Sequence, residues 1–124
     1  MDKHVFFSYQ LNEAVLFVTS YHKGQLTGWL SNSRLENPVE VLSVPHLLFL
    51  LDEFLVRDDK AVNYRAFDLK GMENIQCLAT LRIRVLFQEN HTWQGLLAWE
   101  ERELEASFRS VWDLIQLLDE VLAD

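Results

Sequence analysis

Four histidines, one cysteine and a run of carboxylates are the residues that could do chemistry in this chain. His4, His22, His46 and His91 lack the paired spacing that sets two imidazoles on one metal ion, and Cys77 alone cannot build a structural zinc site. Nucleophilic catalysis needs a serine or cysteine in an activating setting, such as a strained strand-to-helix elbow. No Gly-x-Ser-x-Gly occurs, and Cys77 stands in an apolar run, as a core residue would. Gly24-Gln25-Leu26-Thr27-Gly28 has neither the lysine nor the strand–loop–helix setting of a phosphate-binding loop. Glu100, Glu101, Glu103 and Glu105 have the residue type of acid/base pairs, yet so dense a run reads first as a solvated strand edge. No catalytic, cofactor-binding or metal site is expected.

Two acidic pairs fit binding better than catalysis. Asp52-Glu53 and Asp119-Glu120 each fall toward the C-terminal end of an expected helix, where negative charge opposes the helix dipole. A mildly unfavourable feature that occurs twice suggests either recent duplication or a use for the charge. Trp112 stands off the apolar stripe of the second helix, and Phe49 adds to an already apolar first helix. These six residues, Asp52, Glu53, Asp119, Glu120, Trp112 and Phe49, are the candidate partner-binding set. Arg82 and Arg84 alternate with Ile83 and Val85, which directs them away from the core, toward solvent or acidic neighbours such as Glu100. Trp93 and Trp99 share a strand face with Gly95, where they can pack beneath a helix or floor a shallow ligand platform.

The elements that carry these residues come in two sets. Ser43-Val44-Pro45-His46-Leu47-Leu48-Phe49-Leu50-Leu51-Asp52-Glu53 matches Ser110-Val111-Trp112-Asp113-Leu114-Ile115-Gln116-Leu117-Leu118-Asp119-Glu120 in its serine, leucines and acidic pair. The spacing of 67 residues from Ser43 to Ser110 also sets Leu16 on Ile83, Val18 on Val85, Gly28 on Gly95 and Leu30 on Leu97. A tandem pair of strand–strand–helix units, about residues 14–55 and 81–122, is expected. In the second unit Leu81 to Phe87 alternates as a strand, Trp93 to Trp99 returns, and Glu103 to Phe108 can add a third. Ser110 caps a helix whose apolar face is Val111, Leu114, Ile115, Leu118, Val121 and Leu122. In the first, Ala14–Tyr21 and Gln25–Ser31 flank a turn at Lys23-Gly24, and a helix runs Val44–Val56 with Pro45 in its first turn. His4–Gln10 and Val62–Leu69 read as extra strands, and Arg57-Asp58-Asp59-Lys60 as an exposed linker. Leu47, Leu51, Ile83, Leu114 and Leu118 are expected in the core. The first helix is apolar over most of its circumference, so its second side must meet the other helix, an extra strand or another copy of the chain.

The fold class expected is α+β in a single domain, residues 1–124, with antiparallel sheet packed by two helices. Composition agrees: 49% hydrophobic residues supply a core, and only four glycines and two prolines leave little room for flexible linkers. A net charge of −8 argues against direct nucleic-acid binding, which needs a basic stripe. The most apolar stretch, Val44 to Val56, is interrupted by Pro45, His46, Asp52 and Glu53 and is too short to span a membrane. The N-terminus lacks an apolar signal segment, and the single cysteine suits a reducing cytoplasm. Asn90-His91-Thr92 matches the glycosylation sequon, which in such a compartment is a chance match.

Trp93-Gln94-Gly95, Ser107-Phe108-Arg109-Ser110-Val111 and Leu114-Ile115-Gln116-Leu117-Leu118-Asp119 together resemble the ending of a family of short Firmicutes proteins. The resemblance spans roughly the last third of the chain. It implies a bacterial cytoplasmic origin and brings no activity or site residue with it. The function expected is a non-enzymatic protein-interaction module of a bacterial cytoplasm or mobile element, binding another, basic protein or a second copy of itself. The alternative is an acidic inhibitor or nucleic-acid mimic that blocks the basic groove of a protein such as a defence nuclease. A small-ligand-binding domain is a third reading.

Overall fold

The computed structural model describes residues 6–8, 13–32, 37–53, 66–68, 77–89 and 92–123. The linker at Arg57–Lys60, His4, His91 and the expected helical residues 54–56 lie outside them. Among the described residues, eight strands and two α-helices follow in the order β1 (Phe6–Ser8), β2 (Glu13–His22), β3 (Gln25–Asn32), β4 (Val39–Val41), α1 (Val44–Leu51), β5 (Ala66–Asp68), β6 (Ala79–Glu89), β7 (Thr92–Trp99), β8 (Leu104–Phe108) and α2 (Val111–Leu122). Strands β4-β3-β2-β6-β7-β8 form one antiparallel sheet, and β1 pairs with β5 in a separate two-stranded ribbon. The chain is α+β. Its helices pack on the sheet, α1 against β3 and β4, α2 against β7 and β8.

Local chemistry explains each hairpin. Lys23 and Gly24 both take positive φ, the turn whose twist matches a two-residue hairpin. Past the turn, β2 bulges between Val18 and Ser20, and β6 bulges between Val85 and Phe87. Gly28 lies opposite the first bulge and Gly95 opposite the second. A Cβ at Gly28 would collide with the carbonyl oxygen of Phe17, and one at Gly95 with that of Arg84. Only glycine lets the backbones approach so closely.

The pairing pattern of one half is that of the other shifted by the spacing from Ser43 to Ser110. Leu16 faces Leu30 as Ile83 faces Leu97; Gly28 faces Val41 as Gly95 faces Phe108. Both halves therefore run strand, strand, strand, helix; the third strand is expected from the sequence in the second half, at Glu103–Phe108, and not in the first. The additional strand of the first half, β4, has three residues after Pro38, too few for alternation to register.

The helix starts correspond as well. Ser43 Oγ accepts from His46 N–H at 3.1 Å, and Ser110 Oγ accepts from Asp113 N–H at 3.1 Å. Each third helical residue reaches back: His46 Nδ1 accepts from Leu42 N–H, and Asp113 Oδ2 from Arg109 N–H, both at 3.1 Å. Two orphan amides are satisfied at each start, a variant of the capping box.

Under the helices lies one core built from Leu16, Leu30, Leu47, Leu51, Leu81, Ile83, Leu114 and Leu118, with Phe108 and Trp93 among them. Every residue expected there is buried. Phe49 is not covered by the second helix: it is 60% exposed, while Leu50 and Leu51 beside it are buried. Leu118→Ala should lower unfolding free energy by about 2–5 kcal/mol in denaturant titration. Ser110→Ala should cost about 1 kcal/mol, the value of a lost cap. A loss under about 1 kcal/mol for Leu118→Ala would mean that the face beneath α2 is not the packed core described.

Candidate interaction surface

On α2 the apolar stripe of Leu114, Leu118 and Leu122 is buried and leaves Trp112, Gln116, Asp119 and Glu120 outward. Trp112 is 65% exposed, a large aromatic surface left in water. Beside it Asp119, Glu120, Tyr21 and the start of α1 at Val44 enclose a shallow depression of about 550 Å³. Three of the six candidate residues, Trp112, Asp119 and Glu120, thus come together. The other three lie on or just after α1: Phe49 is exposed, Asp52 is half-buried as the C-cap and Glu53, past the helix, is exposed.

Asp119 has a structural partner that sequence gave no sign of. Tyr21, from the tip of the first hairpin, donates its hydroxyl to Asp119 Oδ1 at 2.5 Å. Desolvation first, then the hydrogen bond and charge of Asp119, push the Tyr21 pKa up to about 12. Charge at this position therefore ties the first half to the second helix as well as facing solvent.

The outer face of the sheet carries the other polar cluster. Glu13, only 1% exposed, accepts from Arg84 Nη2 at 2.9 Å and Nε at 3.3 Å on one oxygen, and Arg82 Nε approaches the same oxygen at 4.0 Å. Arg82 Nη2 reaches Glu100 at 2.9 Å. Both arginines do point away from the core and meet acidic neighbours. A recess of about 310 Å³ opens above them, with Glu103 and Glu105 on its wall. Its two cations stand among four carboxylates, so the recess does not favour an anionic ligand.

Other candidates resolve structurally. Trp93 is buried and Trp99 packs at the core margin with the Arg102 guanidinium 5.0 Å above its ring, so both rings serve the helix side of the sheet. Glu100–Arg102 form a short 3-10 turn and Glu103 closes it in the left-handed region, leaving Glu105 alone of the four glutamates on a strand edge. Glu101 accepts from Thr80 N–H at 2.7 Å. Cys77 is exposed, not a core residue, because it precedes β6, and burial along this apolar run begins only with the strand at Ala79. Partial desolvation, then Glu101, push its thiol pKa up, the reverse of activation. Among the described residues no three metal-ligating side chains converge, and no helix is long and apolar enough to cross a membrane.

The Tyr21 hydroxyl should titrate late in an alkaline absorbance titration, and Tyr21→Phe should remove that phase. The sign follows from linkage: between pH 10 and about 12 the unfolded chain loses this proton first, so the contribution of Tyr21 to stability is complete below pH 10 and falls as pH rises. A Tyr21→Phe variant whose alkaline stability curve has the same slope would show that the contact does not persist in solution.

No family model, curated protein or solved structure matches this chain.

Proposed function

We propose that the chain is a non-enzymatic protein-interaction module, built from a duplicated strand and helix unit, that binds a basic partner protein through α2. The observation that carries this reading is Trp112, 65% exposed on a helix whose outward row also presents Asp119 and Glu120. An exposed tryptophan ringed by charge has the composition of an interface hot spot, in which an aromatic anchor is desolvated by the partner. Net charge of −8 would steer a basic partner toward it. The duplicated origin is supported by the shared pairing register, the paired bulge glycines and the two reciprocal caps. A bacterial cytoplasmic setting is part of the same proposal.

The nucleic-acid mimic requires its carboxylates on one face. Glu105 faces the outer side of the sheet while Asp119 and Glu120 lie on the helix layer, which favours the interaction module. Self-association has its own candidate in Phe49 on α1.

Affinity capture from the source cells with wild-type chain, followed by mass spectrometry, should retain one basic protein. Trp112→Ala with Glu120→Lys should reduce its recovery about ten-fold or more while circular dichroism is unchanged. Recovery unaffected by the pair of substitutions would overturn this surface. Sedimentation of wild type and Phe49→Glu reads self-association separately: a dimer through α1 would become monomeric in the variant.

A further inference from the structure

The two edges of the six-stranded sheet are not alike. At one, β4 offers three residues behind Pro38, a short and guarded edge. At the other, β8 runs five residues from Leu104 to Phe108, and its first four are exposed. Register with β7 puts Leu104 and Ala106 on the helix side and Glu105 and Ser107 on the outer side. Leu104 is 58% exposed although it faces the apolar layer. Between α2 and β8 lies a groove of about 340 Å³ walled by Leu104, Ala106, Leu117 and Val121, with Glu105 and Glu120 at its rims.

We propose that β8 receives an extended segment of another protein as an added strand. The open edge supplies the backbone hydrogen-bond groups for this mode of recognition, and the groove beside it supplies the side-chain pockets. Strand alternation dictates the partner chemistry. Residues on the helix side enter the groove among Leu104, Ala106, Leu117 and Val121, so they are apolar. Residues on the outer side lie across from Glu105 and near Glu103, so they are basic. The segment is about five residues long, alternating apolar and basic side chains.

A second copy of the chain fits the same edge less well. Twofold pairing of β8 about Ala106 makes the two Glu105 side chains diagonal neighbours on one face, about 7–8 Å apart, and joins two chains of charge −8. Charge therefore selects a basic strand over a copy of itself. This inference rests on the reading of the chain as a protein-binding module, but it uses the opposite flank of α2 from Trp112.

The test is nuclear magnetic resonance titration of the full chain, labelled with nitrogen-15, by the capped peptide Lys-Val-Lys-Val-Lys-Val-Lys up to millimolar concentration. Saturable shifts should centre on the amides of Leu104–Phe108 and the second half of α2. Proline in place of the central valine should abolish them. Ala106→Arg, which fills the groove with a cation, and Glu105→Lys should each weaken binding about ten-fold with the circular dichroism spectrum retained. Absence of saturable shifts, shifts spread evenly over the acidic surface, or indifference to proline would overturn the proposal. So would a doubled sedimentation mass of the free chain that Ala106→Arg abolishes, since the edge would then belong to a second copy. If the peptide leaves β8 unmoved while Trp112→Ala alone loses the captured partner, the interaction module stands and the added strand falls. If the peptide binds β8 and Trp112→Ala keeps its partner, the added strand stands and the Trp112 surface falls.

Discussion

The pairing of β2 with β6 is the constraint on which the rest of the molecule depends. It joins two three-stranded halves into one sheet, with Val15 opposite Arg82 at the middle and Ala14–Ile83 and Leu16–Leu81 to either side. On the helix side this seam brings Leu16, Leu81 and Ile83, all fully buried, into one core beneath both helices. Without it neither half has a closed hydrophobic layer. All six residues from Glu13 to Val18 are buried, as expected of a central strand covered on both faces.

On its outer side the seam sets Glu13, Arg82 and Arg84 beside the buried Val15 and Phe17, and the charges fix its register. Glu13 of β2 is held by Arg84 of β6, and its backbone carbonyl accepts from Asn32 of β3 at 2.9 Å. A slip of one residue would turn Arg82 and Arg84 into the core and Leu81 and Ile83 out to solvent. A buried carboxylate is a poor source of net stability, because desolvation offsets most of its attraction to the arginines. Its worth here is specificity: one alignment of the two halves satisfies the charge and the neighbouring ones do not. The seam also delivers Tyr21 to Asp119, so the first hairpin helps to orient α2 and, with it, Trp112.

Much of this architecture was legible in the chain because its signals are local. Alternation in Leu81–Phe87, the serine caps and the spacing between Gly28 and Gly95 each need only a few neighbouring residues to be read. What escaped was non-local. Pairing of β2 with β6 links residues far apart in the chain, and no short pattern marks Glu13 as the partner of Arg84. The glutamates after Trp99 looked like an edge, but a 3-10 turn draws most of them out of the strand. Cys77 was misjudged because apolar neighbours predict burial only inside an element, and β6 begins two residues later. Of the candidate surface, Trp112, Asp119 and Glu120 came together because helix periodicity alone sets them outward. The groove at β8 depends on how Leu117 and Val121 of α2 sit against the edge strand, which periodicity does not specify.

The all-apolar stretch Ala14–Val18 has a consequence for biosynthesis. Val18 pairs with Ala79, so the ribosome makes this segment long before its partner strand exists. At about 5–20 residues per second the nascent chain carries β2 with its β6-facing edge unpaired for several seconds. Residues Ala14–Val18 combine β-branched, aromatic and aliphatic side chains with no charge, the composition that self-associates when left exposed. Glu13, placed directly before that stretch, stands where a gatekeeping charge would limit such association, and its ion-pair partner Arg84 comes only with β6.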